Sequence, residues 1–342
     1  MWPKSKCGQS QSKKPAISLK RVEVSFLGEG EAKAIWQEAI TDKARVQGVI
    51  VTKRPNAQGE SMIAVKDLGH SYGFGFVFKD LNFSLKRGRA LGLLGKNGVG
   101  KSSVINILMG QIKPTLGSCL VCGEESFALS KATRRRIGLL FEGHVSYCYL
   151  PIKELLGLWQ ELYGKRFRQD LFMDLFSKLN VSLKQRLSSL SCGQRSQVVL
   201  ALILAQDPEL LILDDYSLGL DAGYRRLFID YLKDFMSQGD RTLLMTTHIV
   251  NDLEGLLDDL LLLKSGEEAL NISFERFRRE FKGFALDRSV DISKLSGLCS
   301  TLDLKDERQV FGFLDESSFK LKPARRLELS FEDAFIGYTG RY

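Results

Sequence analysis

From Met62 the chain alternates apolar and polar residues through "MIAVKDLGHSYGFGFVFKDLNFSLKRG" (62–88), interrupted by short polar turns. A period of two puts successive side chains on opposite faces of a strand, so this stretch predicts an antiparallel meander. "RALGLLG" (89–95) is a short apolar strand bounded by glycine, and "KSSVINILMGQ" (101–111) spaces its apolar residues as a helix does. Strand-like runs return at "ELLILDD" (209–215), "RTLLMTTH" (241–248) and "DDLLLLKSG" (258–266), with helical stretches between them. Strands alternating with helices predict an α/β domain whose mainly parallel sheet is covered on both faces.

Other segments give the organisation. "LPIKELLGLWQELYGKRFRQDLFMDLFSKL" (150–179) carries leucines and aromatics at three- and four-residue spacing and predicts a helical subdomain, about 143–192. The body runs over 62–266. Residues 267–342 form a C-terminal accessory region, in which "SFERFRREFKGF" (273–284) reads as a basic amphipathic helix and "QVFGFLDES" (309–317) as a strand. Residues 1–61 are irregular, with Lys/Ser-rich patches and Pro3, Pro15 and Pro55. Two readings of this extension stay open. It is a basic arm at a membrane surface, or it lies outside the native protein, whose cassette then starts at Met62.

Charge refines the picture. The formal net charge is +8, and 1–61 hold 11 Lys and Arg against 6 Asp and Glu, so most of the surplus belongs to the extension. The folded body is near neutral, and no nucleic-acid partner is expected. The longest strongly apolar stretch, "VVLALILA" (198–205), falls short of the roughly 18 residues of a membrane span. The start of the chain has no apolar signal core, so a cytoplasmic location is expected. The six cysteines are scattered; Cys119 and Cys122 in "GSCLVCGEE" are read as two strand positions of a hairpin rather than as half of a zinc site.

The chemistry concentrates where apolar runs meet polar residues. "GKNGVGKS" (95–102) follows a strand and opens a helix, the context in which G-x-x-x-x-G-K-[ST] binds phosphate. Its glycines let backbone N–H groups surround phosphate oxygens, and the helix start adds positive potential. Gly95, Asn97, Gly98, Gly100, Lys101, Ser102 and Ser103 are the candidate nucleotide-binding residues here. Lys101 can bridge the β- and γ-phosphates, and the Ser102 hydroxyl can ligate Mg²⁺. "LLILDD" (210–215) runs four apolar residues into two aspartates. A buried run ending in paired like charges needs a reason, and Asp214 at a strand end beside a phosphate loop suits Mg²⁺.

"LSCGQ" (190–194) opens a helix shortly before that strand, and it resembles the signature LSGGQ of ABC ATPases. The resemblance runs from about Met62 to Gly266, with the motifs in the family's order and spacing. It implies a P-loop NTPase of the ABC ATPase type. It also implies ATP and Mg²⁺ as ligands and hydrolysis of ATP. Ser191, Gly193 and Gln194 would cap the γ-phosphate held by a second copy, or by a paralogous cassette, in a head-to-tail dimer. Tyr72 matches the aromatic that stacks on adenine, Asp221 the loop that crosses the dimer, His248 the switch histidine, and Asp215 the catalytic carboxylate, usually glutamate. The departures are Cys192 for glycine in the signature, Tyr216 for proline after Asp215, and Glu142 in "IGLLFEG" for the lever glutamine. Glu142 keeps an oxygen ligand for Mg²⁺.

"LSFEDAFIGYTGRY" (329–342) is similar to the ending of the branch that supplies ATPase subunits to multidrug, sodium, haem and polysaccharide exporters. There the permease is a separate polypeptide, which implies a peripheral place on the cytoplasmic face of the inner membrane. Lys101 and Ser191 are 90 residues apart, too close for the coiled-coil insertion of DNA-repair members. A regulatory ATP binder that scarcely hydrolyses is the alternative kept open by Glu142, Cys192 and Asp215.

Overall fold

The computed structural model describes residues 60–73, 75–141, 147–217, 220–247, 249–293, 295–315, 317 and 324–340. The basic extension up to residue 59, Glu142 and His248 lie outside the described residues.

The centre is a six-stranded sheet. It is built from β3 (Ala90–Gly95), β6 (Ile137–Leu140), β7 (Leu210–Leu213), β8 (Thr242–Met245), β9 (Asp259–Leu263) and β10 (Leu270–Ser273), in the order β10-β9-β3-β8-β7-β6. All neighbours are parallel except β10 against β9. Parallel strands need both faces covered, and the leucine runs supply both. On β7, Leu211 and Leu213 join one core cluster, while Leu210 and Ile212 join another. All four are 0% exposed. Each such side chain contributes about 1.5–3 kcal/mol by leaving water. That burial fixes the strand's register and therefore the position of the two aspartates after it.

A second sheet is antiparallel, in the order β2-β1-β4-β5, from β1 (Ser61–Ser71), β2 (Phe76–Lys86), β4 (Leu116–Val121) and β5 (Glu124–Glu125). It packs on the same cluster as α1 (Lys101–Leu108), while the short α2 (Lys131–Arg134) leads into β6. The cysteine expectation needs a correction. Cys119 is in β4, but Cys122 sits in the β4–β5 turn with φ 52°, not in a strand. Burial pushes the Cys119 thiol up to about 11.

Helices α3 (Ile152–Tyr163) and α4 (Gln169–Phe176) form the block between β6 and α5 (Cys192–Ala205), and α6 (Ala222–Ser237) links β7 to β8. Phe172, Leu175 and Leu190 bury this block against α5. The Glu209 carboxylate, just before β7, gathers three arginines from different parts of the chain. It accepts from Arg87 at 3.1 Å and Arg136 at 2.9 Å, and Arg166 stands 3.5 Å away.

Of the residues expected to form the accessory region, β10 belongs to the central sheet, and those after it form a four-stranded antiparallel sheet, β12-β13-β11-β14, with α7 (Phe274–Glu280) and α8 (Phe331–Thr339). Its strands are β11 (Lys282–Leu286), β12 (Leu298–Asp303), β13 (Arg308–Gly312) and β14 (Ala324–Leu327). Here the expected helix over 273–284 stops early. Phe274, Phe277, Phe281 and Phe284 fit a helical period throughout, yet the chain after Glu280 pairs with β13 and β14. Phe277 and Phe281 stack at 5.0 Å in the main core, while Phe284 belongs to a separate cluster with Leu286 and Val310. Among the described residues, no helix is long and apolar enough to cross a membrane.

Candidate nucleotide site

The site forms at the carboxyl ends of β3, β7 and β8, three neighbouring strands of the parallel sheet. Loops leaving that edge form a crevice in which open α/β sheets bind ligands. The loop after β3 returns at Gly100, whose φ of 101° starts α1 without a side-chain cap. A Cβ at Gly100 would stand 2.7 Å from the Phe78 ring and 2.8 Å from Val77, so only glycine fits this turn. An uncapped helix start leaves backbone N–H groups for an anion. Lys101 Nζ donates to the carbonyls of Gly95 and Lys96, both at 2.9 Å, and so lies folded along the loop. Asn97 and Gly98 are exposed at the tip.

Asp214 is 4% exposed, and its Oδ1 accepts from Thr246 Oγ1 at 2.7 Å and from Ser102 Oγ at 3.4 Å. Burial pushes its carboxyl above the ordinary value. The two hydroxyls and the Lys101 charge pull it down, and the neighbouring charge of Asp215 pushes it up. Ser102 and Asp214 thus present two hard oxygens to one point, the ligand type that Mg²⁺ takes. Asp215 takes a left-handed φ of 42°. Its N–H donates to Thr246 Oγ1 at 2.9 Å, and its Oδ1 accepts from Ser217 Oγ at 3.0 Å. Tyr216 turns inward to stack on Phe228 at 4.9 Å and is 1% exposed. Tyr72 OH lies 3.0 Å from Ser103 Oγ, its ring is edge-on to His70, and it is 60% exposed. That leaves a broad aromatic face beside the start of α1.

A second group gathers elsewhere. Ser191 caps α5, accepting from Gln194 N–H, while the Gln194 side chain accepts from the Ser191 N–H, a reciprocal capping box. Asp221 caps α6 by accepting from Tyr224 N–H at 2.9 Å. The two helix starts meet through Tyr224: a Cβ on Gly193 would stand 2.5 Å from its ring, and Gln197 donates to its carbonyl at 2.8 Å. The contacts therefore sort the candidates in two. Lys101, Ser102, Ser103, Tyr72, Asp214 and Asp215 belong to the phosphate loop, and Ser191, Gly193, Gln194 and Asp221 to the signature helix.

Sequence reading missed Thr246, Thr247 and Ser217. All three are buried and hydroxyl-bearing, and they bond the aspartates or each other. The signal was present as polar "TT" at the end of an apolar strand, but a lone hydroxyl carries no spacing rule.

A phosphate loop at an uncapped helix start, an acidic strand end beside it and a further helix start capped by Ser191, around one mainly parallel sheet, define a P-loop nucleotide-binding cassette. The family model for the ABC transporter matches residues 78–217. The Nod factor export ATP-binding protein I of Rhizobium johnstonii is 32% identical over 214 residues, which are 60% of this chain and 67% of that protein. The chain belongs to the family of ABC transporter ATP-binding proteins. An ATP-binding subunit of an ABC transporter superposes with a TM-score of 0.58 at 26% identity, covering 64% of this chain and 92% of that one. A dimeric ATP-binding cassette in a post-hydrolysis state, bound to ADP and Pi, shares the fold, with a TM-score of 0.54 at 22% identity over 62% and 98% of the two chains.

Proposed function

We propose that the chain hydrolyses ATP as the ATP-binding subunit of an exporter, working as a dimer on a separate membrane permease at the cytoplasmic face of the membrane. The observation that carries this reading is the meeting of Ser102, at the start of α1, with Asp214, at the end of β7, their Oγ and Oδ1 atoms 3.4 Å apart. In this reading the backbone N–H groups of 95–102 and Lys101 hold the phosphates, and Tyr72 stacks on the base. Ser102 and Asp214 would hold Mg²⁺, which supplies neutralisation of phosphate charge. Asp215 orients the attacking water and takes its proton. Ser191, Gly193, Gln194 and Asp221 serve the nucleotide of a second copy or of a paralogous cassette. Glu142 is assigned to Mg²⁺ and His248 to the γ-phosphate on the sequence alone.

The shared export function of the relatives supports the exporter reading. Aspartate at 215 reaches about 1.5 Å less than glutamate, and a misplacement of about 1 Å costs on the order of a hundredfold in rate. Turnover is therefore slow. A regulatory ATP binder is the second reading, favoured by the same short carboxylate, one of whose oxygens is already bonded to Ser217. Phosphate release from ATP and Mg²⁺ by the purified chain separates the two. Release that Lys101→Ala abolishes supports the first, and tight ATP binding without release supports the second. A membrane protein that co-purifies with the chain identifies the permease.

A further inference from the structure

Three buried hydroxyls stand between the two aspartates and the end of β8, and each carries a single proton. Asp215 Oδ1, as a carboxylate oxygen, can only accept, so the Ser217 proton points to it over 3.0 Å. Ser217 Oγ has then only lone pairs left for Thr247 Oγ1 at 3.1 Å, so Thr247 is the donor in that pair. Thr247 Oγ1 in turn accepts from the Ile249 N–H at 3.0 Å. The other acceptor within reach of the Thr247 proton, the Ile249 carbonyl, is farther, at 3.4 Å. The bonds therefore run in one direction: Ile249 N–H to Thr247, Thr247 to Ser217, Ser217 to Asp215. Ser217 is 3% and Thr247 1% exposed, so water does not compete for these protons. Thr246, one residue before, completes the frame by holding the Asp215 N–H and the Asp214 carboxylate on one oxygen.

We propose that Ser217 and Thr247 are positioning residues for Asp215. Their directed row of hydrogen bonds fixes one carboxylate oxygen and with it the orientation of the carboxylate, compensating in orientation for the reach that aspartate lacks. This rests on the reading of Asp215 as the group that acts on water.

The test is steady-state phosphate release by the full chain, with kcat and KM for ATP measured separately. Variants are Ser217→Ala, Thr247→Val, their combination and Thr247→Ser. Ser217→Ala loses the bond to the charged carboxylate and Thr247→Val the link behind it, and each predicts a fall in kcat on the order of tenfold. KM changes little, because no bond of the row is made to Lys101, Ser102 or Asp214. The double variant falls no further than the worse single, since one broken link releases the whole row. Thr247→Ser, which keeps the hydroxyl, restores the rate. Should Ser217→Ala fail to bind ATP, Thr247→Val, which keeps the side-chain shape, carries the comparison. Parental kcat in the hydroxyl deletions, a loss confined to KM, or losses that multiply would overturn the inference while leaving the proposed function standing. A parent that binds ATP but releases no phosphate overturns both.

Discussion

Thr246→Val deletes one hydroxyl and keeps the shape of a side chain that is 0% exposed. Two bonds go with it: the donor to Asp214 Oδ1 at 2.7 Å and the acceptor for the Asp215 N–H at 2.9 Å. A bond to a charged group is worth about 1.5–3 kcal/mol, and a buried donor left without a partner costs about 1–3 kcal/mol. The extra methyl of valine returns part of this, so the net loss is about 3 kcal/mol. For a domain of this size, that lowers the unfolding midpoint by about 6–12 °C. Thr246→Ser keeps both bonds and gives up one methyl, about 1 kcal/mol. Calorimetry of the nucleotide-free chain should rank parent, Thr246→Ser and Thr246→Val in that order of falling stability. Thr246→Val unfolding within about 2 °C of the parent, or above Thr246→Ser, would refute the account of the two aspartates as anchored through one hydroxyl.

Three further outcomes follow from the same geometry. Cys192 is exposed at the start of the signature helix; maleimide should label it rapidly without nucleotide and slowly with Mg·ATP, and equal rates would count against a nucleotide-closed dimer. In Gly193→Ala the new methyl meets the Tyr224 ring, an overpacking of about 1–3 kcal/mol that displaces both helix starts; gel filtration should show loss of the ATP-dependent dimer while the monomer still binds ATP, and a dimer like the parent's would contradict this. The hydrogen bonds from Arg136 hold the Glu209 carboxyl below its ordinary value of 4.5, so its stabilisation is present above that pH and lost as pH falls through the lowered value; the unfolding midpoint of Glu209→Gln should therefore fall less steeply than the parent's from about pH 5 to 3, and parallel curves would exclude Glu209 as a source of acid lability.

The sheet was legible because its leucine runs are long and uninterrupted, and burial on both faces leaves few other structures for them. The phosphate loop was legible because backbone geometry there demands glycines at fixed offsets, as the left-handed Gly100 does. The accessory region was less so. Its phenylalanines at 274, 277, 281 and 284 satisfy a helical period across a boundary that only strand pairing with β13 and β14 defines. The hydroxyls of Ser217, Thr246 and Thr247 were not legible at all, since Ser217 and Thr247 lie 30 positions apart and meet only because β7 and β8 are neighbours. The inward turn of Tyr216 likewise depends on Phe228, twelve residues on in α6.

The central claim is that adjacent aspartates hold different tasks: Asp214 as an oxygen for Mg²⁺ and Asp215 as the group that acts on water. The most direct measurement compares Asp215→Asn with Asp214→Asn for Mg·ATP affinity, phosphate release and dimer lifetime. The account predicts that Asp215→Asn binds Mg·ATP as the parent does, releases no phosphate and persists as a closed dimer, whereas Asp214→Asn loses the contribution of Mg²⁺ to nucleotide affinity. Asp215→Asn hydrolysing ATP at the parent rate would contradict it.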